Sequence, residues 1–392
     1  MRIVAIGGGT GLSTLLQGLK KYVVDERALL SQGGPADRRS SGPQAVGGRA
    51  AIPAASLLEE FPKGDVRRVS DLTAVVTVSD DGGSSGRLRR DFQVLPPGDI
   101  RNCMVALSED ETLLSRLFQF RFASGRGLKG HSFGNLFLTA LTGVTGDFQE
   151  AVKLSGEVLA IRGRIFPSTM SDLRLEAAME DGRVIQGETK ISRTRGRIAR
   201  IRLVPARCRP LPQTLEAIER ADVITVGPGS LFTSVIPNLL VRGVAQAIAR
   251  SRAAKIYICN LMTQPGETTG LSASDHLRTI YEHCGFRLFD SVLLNGARIA
   301  PRLQRRYLAE RSRPVEIDLP KLFEMGVRVV TADLVAEQRP GATTARWVRH
   351  DPHRLARAVL GIAVSNPDKG FAKRSARQEQ PKQKSRKAAH RA

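Results

Sequence analysis

Adjacent carboxylates, Asp80 and Asp81, follow an apolar, β-branched run that extends from Leu72 to Ser79. Such a run is typical of a buried parallel strand, and open parallel sheets bind their ligands beyond the carboxyl ends of the strands. Carboxylates in that place could hold a sugar hydroxyl or a hard divalent cation such as Mg²⁺. We therefore predict that this loop binds a ligand or a cation, with a plain polar loop as the alternative.

The residues after the two aspartates suit an anion. Small residues over 82–85 could surround a phosphate with N–H and O–H groups, and the arginines that follow could neutralise it. Two prolines then fix a bend that presents Asp99. Farther along, His131 could cap a predicted helix, meet an anion, act as an acid or base, or be purely structural. The candidate ligand contacts of this half are Asp80, Asp81, Gly83, Ser84, Ser85, Arg87, Arg101, Asn102, His131 and Asn135.

A glycine-rich turn spans Gly7 to Gly11, between a short apolar run and leucines that recur at helical spacing. Backbone N–H groups in such a turn can approach an anion at a helix N-terminus, where the helix dipole favours negative charge. The turn lacks the third glycine of the dinucleotide-binding pattern and the Gly-Lys-Ser/Thr of a Walker motif. A tight turn without a ligand is the alternative. The candidate contacts here are Gly8, Gly9, Thr10 and Gly11.

Two later strands end in similar loops. The run Asp222–Val226 leads into Gly227-Pro-Gly-Ser230 and then into a predicted helix over Pro237–Arg250. The run Lys255–Cys259 leads into a polar loop that ends at Glu267. Four such loops in one chain predict a single extended site along the carboxyl edge of the sheet, large enough for a nucleotide or a nucleotide sugar. The candidate contacts in these two loops are Gly227, Gly229, Ser230, Asn260, Thr263 and Gln264.

The elements that must position these loops alternate between strands and helices. This order predicts one α/β domain over residues 1–365 with a mostly parallel sheet. An alternating apolar pattern over residues 172–204, with an Asp181-Gly182 hairpin signal, predicts a small antiparallel β insertion. Residues 24–68, rich in Gly, Pro, Ser, Ala and Arg, are predicted to be a flexible insertion. Residues 366–392 are predicted to be a disordered basic tail.

The composition restricts the class of protein. The formal charge of +22 suggests nucleic acid, but 5% aromatic residues and the lack of a recognisable binding motif confine that expectation to the basic tail. The four cysteines form no Cys-x-x-Cys pair, which favours reduced thiols in a cytoplasm. No run approaches the roughly 18 apolar residues of a membrane span. Neither a Gly-x-Ser-x-Gly elbow nor a His-Glu-x-x-His motif is present, so the available chemistry is electrostatic.

Taken together, the motifs resemble those of the gluconeogenesis factor family, which is related to the 2-phospho-L-lactate transferase of coenzyme F420 synthesis. The resemblance extends from residue 1 to about residue 362, apart from 24–68, and implies a Rossmann-like, doubly wound sheet. The motifs that carry it are Gly7–Leu12, Val78–Arg89, Leu95–Cys103, Gly130–Asn135, Gly227–Leu231 and Met262–Glu267.

The resemblance also implies a function. A member is expected to be a cytoplasmic protein needed for normal cell shape on gluconeogenic carbon sources. It is expected to bind a UDP-sugar such as UDP-N-acetylglucosamine and to regulate envelope precursor supply, with partners in cell-wall precursor synthesis. Matched by motif, the catalytic and Mg²⁺-binding aspartates of the related transferase fall on Asp81 and Asp99, and the family's UDP-sugar contacts fall on Tyr307 and Arg349.

Three hypotheses stay open at this point. The first is a nucleotide-sugar-binding regulatory protein. The second is a Mg²⁺-dependent transferase of the 2-phospho-L-lactate type, which moves a phospho-acyl group from a nucleotide donor to an alcohol. The third is an NAD(P)-dependent oxidoreductase in which Asp80 holds the ribose, and the absent fingerprint glycine weighs against it. The oligomeric state, including a homo-oligomer, also stays open.

Overall fold

The computed structural model of the chain describes residues 1–24, 52–53, 69–109, 113–336 and 348–365. Within these residues the strands form two sheets, one of eight strands and one of three. The strands are β1 (Arg2–Gly7), β2 (Ile52–Pro53), β3 (Asp71–Val76), β4 (Arg164–Pro167), β5 (Arg174–Met179), β6 (Val184–Gln186), β7 (Ile198–Val204), β8 (Val223–Val226), β9 (Ala254–Ile258), β10 (Ser291–Asn295) and β11 (Arg328–Ala332).

Helices cover the large sheet and connect its strands. The α-helices are α1 (Gly9–Leu19), α2 (Gly83–Phe92), α3 (Gly98–Leu107), α4 (Leu113–Gln119), α5 (Phe133–Thr145), α6 (Phe148–Val158), α7 (Glu188–Arg193), α8 (Pro212–Arg220), α9 (Ile236–Leu240), α10 (Val244–Arg250), α11 (Ala273–Cys284), α12 (Pro301–Ala309), α13 (Leu319–Glu324) and α14 (Pro352–Val364).

The large sheet has the order β2-β11-β10-β9-β8-β1-β3-β4, and its neighbouring strands are all parallel. From β1 the chain winds outward to β3 and β4. It then returns to β8 beside β1 and winds outward in the other direction through β9, β10 and β11. The predicted Rossmann-like, doubly wound sheet is thus confirmed, and its topological switch point lies between β1 and β8.

The N-terminal unit forms the centre of the core. The leucines that recur at helical spacing in α1, among them Leu12 and Leu16, are fully buried. This helix packs against α3 on one side and α14 on the other. Gly18 allows the close approach of α14, because a Cβ at that position would overlap the Pro352 carbonyl. The helical spacing seen in the sequence therefore marks the face that α1 buries.

The small sheet is antiparallel, in the order β6-β5-β7, and confirms the predicted β insertion. Its hairpin turns at Asp181-Gly182, where Gly182 has a φ of +86° and Met179 N donates to Arg183 O at 2.8 Å. The residues of β5 alternate between buried and more exposed positions. The buried residues of β5 pack the small sheet against the main core.

One predicted helix is interrupted. The sequence predicts a single helix over Pro237–Arg250, but the structure has a π-helix over Leu231–Val235, then α9, and then a separate α10. The prediction of continuity was wrong because Val241 is extended and Gly243 takes a left-handed φ of +85°. Glycine adopts that conformation at little cost.

The predicted segments of low complexity mostly lie outside the described residues. This holds for most of 24–68 and for the whole of 366–392. Ile52–Pro53 is a correction, since this dipeptide is an edge strand paired with Val330 and Thr331. Proline is tolerated on a sheet edge because its missing N–H is not needed there.

No single helix in the described part of the chain is long and apolar enough to cross a bilayer. Two successive helical segments, 231–240 and 244–250, have that length and apolar composition only when taken together, and the angle between them is 78°.

Candidate functional site

A cleft of about 580 Å³ opens at the switch point, where the loops after β1 and β8 face each other. This volume falls within the roughly 300–1,000 Å³ of ligand sites. The structure thus brings together the loops that follow β1, β3, β8 and β9, as the sequence predicts. The predicted residues that line the cleft are Gly8, Gly9, Thr10, Gly11, Asp80, Asp99, Gly229, Ser230, Asn260, Thr263, Gln264, Tyr307 and Arg349.

The turn after β1 places the N-terminus of α1 in the cleft. Gly9 N donates to Asp99 Oδ2 at 2.7 Å, so Asp99 holds the turn directly. At Gly11 a Cβ would overlap the Pro228 carbonyl of the turn after β8. Glycine at this position therefore allows the two turns to meet and to form a continuous wall.

Side chains from the loop after β9 hold the turn after β8. Asn260 Oδ1 accepts from Gly229 N at 3.2 Å, and Asn260 Nδ2 donates to Gly229 O at 2.8 Å. Gln264 Nε2 donates to Ser230 Oγ at 2.8 Å. Asn260 and Gln264 therefore shape the wall of the cleft, and their contact with a ligand stays a prediction.

Carboxylates gather at one end of the cleft. Asp80 and Asp99 were predicted there, and Glu188 was not. Burial, reinforced by the negative charge of Asp80, raises the pKa of Asp99 to about 6. Burial also raises the pKa of Glu188 to about 8, with further contributions from the charges of Asp80, Asp81 and Asp99. Crowded, partly desolvated carboxylates favour a bound proton or a cation at this end of the cleft.

Mg²⁺ fits this end of the cleft as an ion that is carried by a phosphate ligand. Within the described residues no group of three or more His, Cys, Asp or Glu side chains is placed to hold a metal ion by itself. Mg²⁺ commonly takes one or two carboxylates and completes its coordination with phosphate oxygens and water. Asp80 and Asp99 could supply those carboxylates to an ion carried by a phosphate ligand.

The cleft lining also contains Tyr307 and Arg349, the two residues matched by resemblance. Tyr307 is buried, and its phenol oxygen accepts a hydrogen bond from Val348 N at 2.7 Å. Burial raises the pKa of Tyr307, whereas the hydrogen bond from Val348 and the positive charge of Arg349 act in the opposite direction. Arg349 is exposed at the cleft, where a guanidinium can meet phosphate oxygens.

His350, which is not among the predicted contacts, also lines the cleft. Its ring hydrogen-bonds to the Cys259 backbone, and burial lowers the pKa of the imidazole to about 4, so the ring is neutral near pH 7. In the described structure its Nε2 is shielded from solvent and takes no hydrogen bond. A neutral imidazole offers an acceptor to a hydroxyl or N–H group. Its signal in the sequence was its position next to Arg349.

Two predicted arginines bind protein groups outside the cleft lining. Arg87 donates to the Lys129 carbonyl at 2.9 Å, and Arg101 donates to Asn102 Oδ1 at 2.7 Å. Arg101 is buried, and burial lowers the pKa of its guanidinium. The structure therefore does not bring these predicted anion contacts, or Asn102, into the cleft.

A second group of predicted contacts forms a buried cluster of its own. The Ser84 hydroxyl lies 3.0 Å from His131 Nδ1 and accepts a hydrogen bond from Asn135 Nδ2 at 3.2 Å. The cap of α5 is Ser132, whose side chain accepts from Asn135 N, so the option that His131 caps this helix was wrong. Burial is the main cause that lowers the pKa of His131.

The remaining predicted residues of the glycine and serine loops also lie outside the lining. Gly83 begins α2, and Ser85 lies against Gly98. A Cβ at Gly227 would lie 2.6 Å from the Ile258 carbonyl oxygen. Glycine at this position therefore allows the ends of β8 and β9 to lie close together.

Asp81 holds a helix and does not line the cleft. Its Oδ1 accepts a hydrogen bond from Thr189 N at 2.9 Å, at the N-terminus of α7. Glu267 Oε1 accepts from Ser192 Oγ at 3.0 Å, in the last turn of the same helix. Together they fix the helix whose first residue is Glu188. No pattern in the sequence marks Glu188, because these tertiary contacts place it in the cleft.

Comparisons with known proteins agree with this architecture. A family profile described as 2-phospho-L-lactate transferase CofD matches residues 3–335. The chain is 42% identical over 358 residues to the gluconeogenesis factor of Halalkalibacterium halodurans, covering 91% of this chain and 95% of that protein. It is 40% identical over 361 residues to the gluconeogenesis factor of Bacillus subtilis, covering 92% and 98%.

A solved structure is similar as well. An X-ray crystal structure of a protein from Bacillus halodurans matches this fold with a TM-score of 0.76 and 42% sequence identity. The match covers 92% of this chain and 99% of that chain. The similarity thus extends over most of the chain.

Proposed function

Because the chain belongs to the gluconeogenesis factor family, within the wider family of 2-phospho-L-lactate transferase CofD, we propose that it is a regulatory protein that binds a nucleotide sugar in its cleft. The proposed ligand is UDP-N-acetylglucosamine. The proposed role is cytoplasmic control of cell-wall precursor supply, which supports cell shape during gluconeogenic growth. Enzymes of precursor synthesis are the proposed protein partners.

The observation that carries this proposal is the pair of glycine turns at the switch point. The turn after β1 presents the N-terminus of α1, and the turn after β8 adjoins it at Gly11 and Pro228. The N-terminus of α1 favours a phosphate group through the N–H groups that follow Gly9, whose own N–H donates to Asp99. Arg349 in the same lining adds a cation that matches phosphate oxygens. A diphosphate with a sugar on each side suits a cleft of this volume.

Calorimetry tests the ligand. The full chain is titrated with UDP-N-acetylglucosamine, with and without Mg²⁺, and with other UDP-sugars, GDP, NAD(P) and F420 precursors. We expect micromolar affinity for the UDP-sugar, which corresponds to about −8 kcal/mol. Lack of binding at millimolar UDP-sugar by folded protein, with Mg²⁺ present, would remove the proposal.

Arg349→Ala locates the diphosphate. It should weaken binding of the UDP-sugar and leave uridine binding nearly unchanged, because only the former has phosphate oxygens for the guanidinium. Arg252→Ala, at an exposed arginine before β9, is the matched control. Equal losses for both ligands would assign Arg349 to the fold or to the base.

A second candidate function is a Mg²⁺-dependent transferase of the 2-phospho-L-lactate type. The carboxylates of Asp80 and Asp99 in the cleft favour it, because a phosphate-bound Mg²⁺ needs carboxylate oxygens. Mg²⁺ would neutralise charge on the transferred group. Turnover of a nucleotide-activated phospho-acid with an alcohol acceptor, abolished by Asp99→Asn, would favour the enzyme over the regulator. Binding without turnover would favour the regulator.

The NAD(P)-dependent alternative depends on Asp80, which does lie in the cleft after β3. A carboxylate after the second strand of a nucleotide-binding unit commonly accepts the ribose hydroxyls. The turn after β1 lacks the third fingerprint glycine, which weighs against this function. NAD(P) in the calorimetric panel tests it directly.

A further inference from the structure

The outer face of α4 is apolar although it faces solvent. Leu113 and Leu117 are 79% and 38% exposed, and Phe120, just past the helix, is 51% exposed. Their spacing of four and three residues places them on one side of the helix. The opposite side is apolar too, since Phe118 is fully buried and Leu114 packs against the core.

The inner side holds this helix firmly in place. Phe118 packs edge-on against Phe133 at 6.0 Å between ring centroids and lies 5.0 Å from Phe137. The inward residues thus account for the attachment of α4 to the fold. The outward leucines and Phe120 contribute little to that attachment, so their apolar character has no explanation within the described structure.

A hairpin next to this face projects into solvent. It is held by hydrogen bonds from Phe122 N to His131 O at 3.0 Å and from Gly130 N to Phe122 O at 2.8 Å. Residues 123–129 between these bonds are all exposed, and Leu128 is the apolar side chain near the tip, 42% exposed. The Phe120 and Phe122 rings meet edge to face at 5.1 Å, which joins the hairpin to the outer face of α4.

The charged residues of this segment have one sign. Residues 113–130 contain four basic residues and no acidic residue. All four basic side chains are exposed. We call the combined surface the basic–apolar face, and its members are Leu113, Leu117, Phe120, Leu128, Arg116, Arg121, Arg126 and Lys129.

We propose that the basic–apolar face docks this protein onto the surface of an anionic lipid bilayer. Lysines and arginines near such a surface are attracted to its negative potential, and the leucines and Phe120 can enter the boundary between headgroups and acyl chains. A second copy of the chain is disfavoured as the occupant, because a two-fold contact would set four cations against the same four.

Vesicle binding tests this docking. The full chain is sedimented with vesicles of phosphatidylglycerol and phosphatidylcholine, and with vesicles of phosphatidylcholine alone. We expect binding to the anionic vesicles that weakens as salt rises. Arg126→Glu with Lys129→Glu should weaken it by roughly tenfold or more. Leu113→Ser with Leu128→Ser should weaken it as well, although these changes leave the charge untouched.

Matched variants separate this face from the net charge and from the basic tail. Arg250→Glu with Arg252→Glu, exposed residues before β9, change the net charge by the same amount and should alter binding little. In a Leu128→Trp variant, brominated lipid should quench the new tryptophan, whereas Val158→Trp on α6 should not respond. Binding unaffected by the changes on the face, or equal losses in the matched pair, would overturn the proposal. Tryptophan fluorescence of Leu128→Trp that brominated lipid does not quench would overturn it too. The same holds if an acidic protein that binds the face displaces the chain from the anionic vesicles.

Discussion

Neighbouring carboxylates in this protein have different tasks. Asp80 lines the cleft, whereas Asp81 binds Thr189 N and thereby holds α7. Adjacency along the chain cannot tell which of two consecutive side chains reaches the cleft, because successive side chains leave an extended backbone in opposite directions. The motif therefore predicted the position of the cleft but assigned a ligand contact to both aspartates.

Substitutions of Asp81 should separate a structural role from a ligand contact. Asp81→Asn retains an acceptor for Thr189 N and should change the free energy of unfolding by less than about 0.5 kcal/mol. Asp81→Ala removes the acceptor at the N-terminus of α7 and should cost about 0.5–2 kcal/mol. Urea denaturation measures both. An Asp81→Asn variant that folds normally yet loses all affinity for Mg²⁺ and nucleotide would restore Asp81 as a ligand contact.

Glu188 should make the stability of the fold depend on pH in an unusual direction. Its pKa is about 8 in the folded protein against an ordinary value of 4.5. Between these values the folded chain retains a proton that the unfolded chain has lost, so stability falls as the pH rises. Glu188→Gln removes this loss and should raise the melting temperature at about pH 9, with little effect near pH 4.

The matched control for Glu188 is Glu157→Gln, at an exposed carboxylate on α6. It should leave the pH profile of the melting temperature unchanged. If Glu188→Gln gave the same difference from wild type at both ends of the pH range, the carboxyl would titrate alike in the folded and unfolded chains. The inferred crowding of carboxylates in the cleft would then be wrong.

At the scale of elements, predictability follows the range of the interactions. The unit of β1, glycine turn and α1 was predictable, because its strand, turn and helical spacing are all local in sequence. The position of Glu188 was not, because α7 is held at the cleft by its hydrogen bonds to Asp81 and Glu267, which join residues 108 and 75 positions apart in sequence. The break before α10 depends on one glycine conformation that helical periodicity does not reveal.

Two helical glycines offer a test of how closely α1 and α14 pack. Gly18→Ala places a methyl group into the Pro352 carbonyl and should destabilise the fold by about 1–3 kcal/mol. Gly143→Ala, on α5, meets no atom within 4 Å and should stabilise it by up to about 1 kcal/mol through helix propensity. Chemical denaturation measures both. Equal effects of the two variants would show that α14 is not seated against Gly18.

At the scale of the whole molecule, the large sheet forms one doubly wound unit with the cleft at its centre. The two halves of the sheet meet at β1 and β8, and the cleft takes residues from both. A ligand bound there would contact both halves at once, so it should stabilise the whole unit by mass action. At a concentration of 100 Kd this linkage is worth about 2.7 kcal/mol.

The extent of that unit can be tested by truncation. A chain that ends at residue 365 should keep the melting temperature and the affinity for UDP-N-acetylglucosamine, because every described element of the cleft and core lies before that point. A chain that ends at residue 351 lacks α14, whose Leu355, Val359 and Ile362 are fully buried. Each such side chain contributes about 1.5–3 kcal/mol when buried, so this truncation should unfold or melt many degrees lower. Calorimetry of both truncated chains measures the difference. A drop of several degrees for the chain that ends at 365 would show that residues 366–392 dock on the folded unit, against the prediction of a disordered tail.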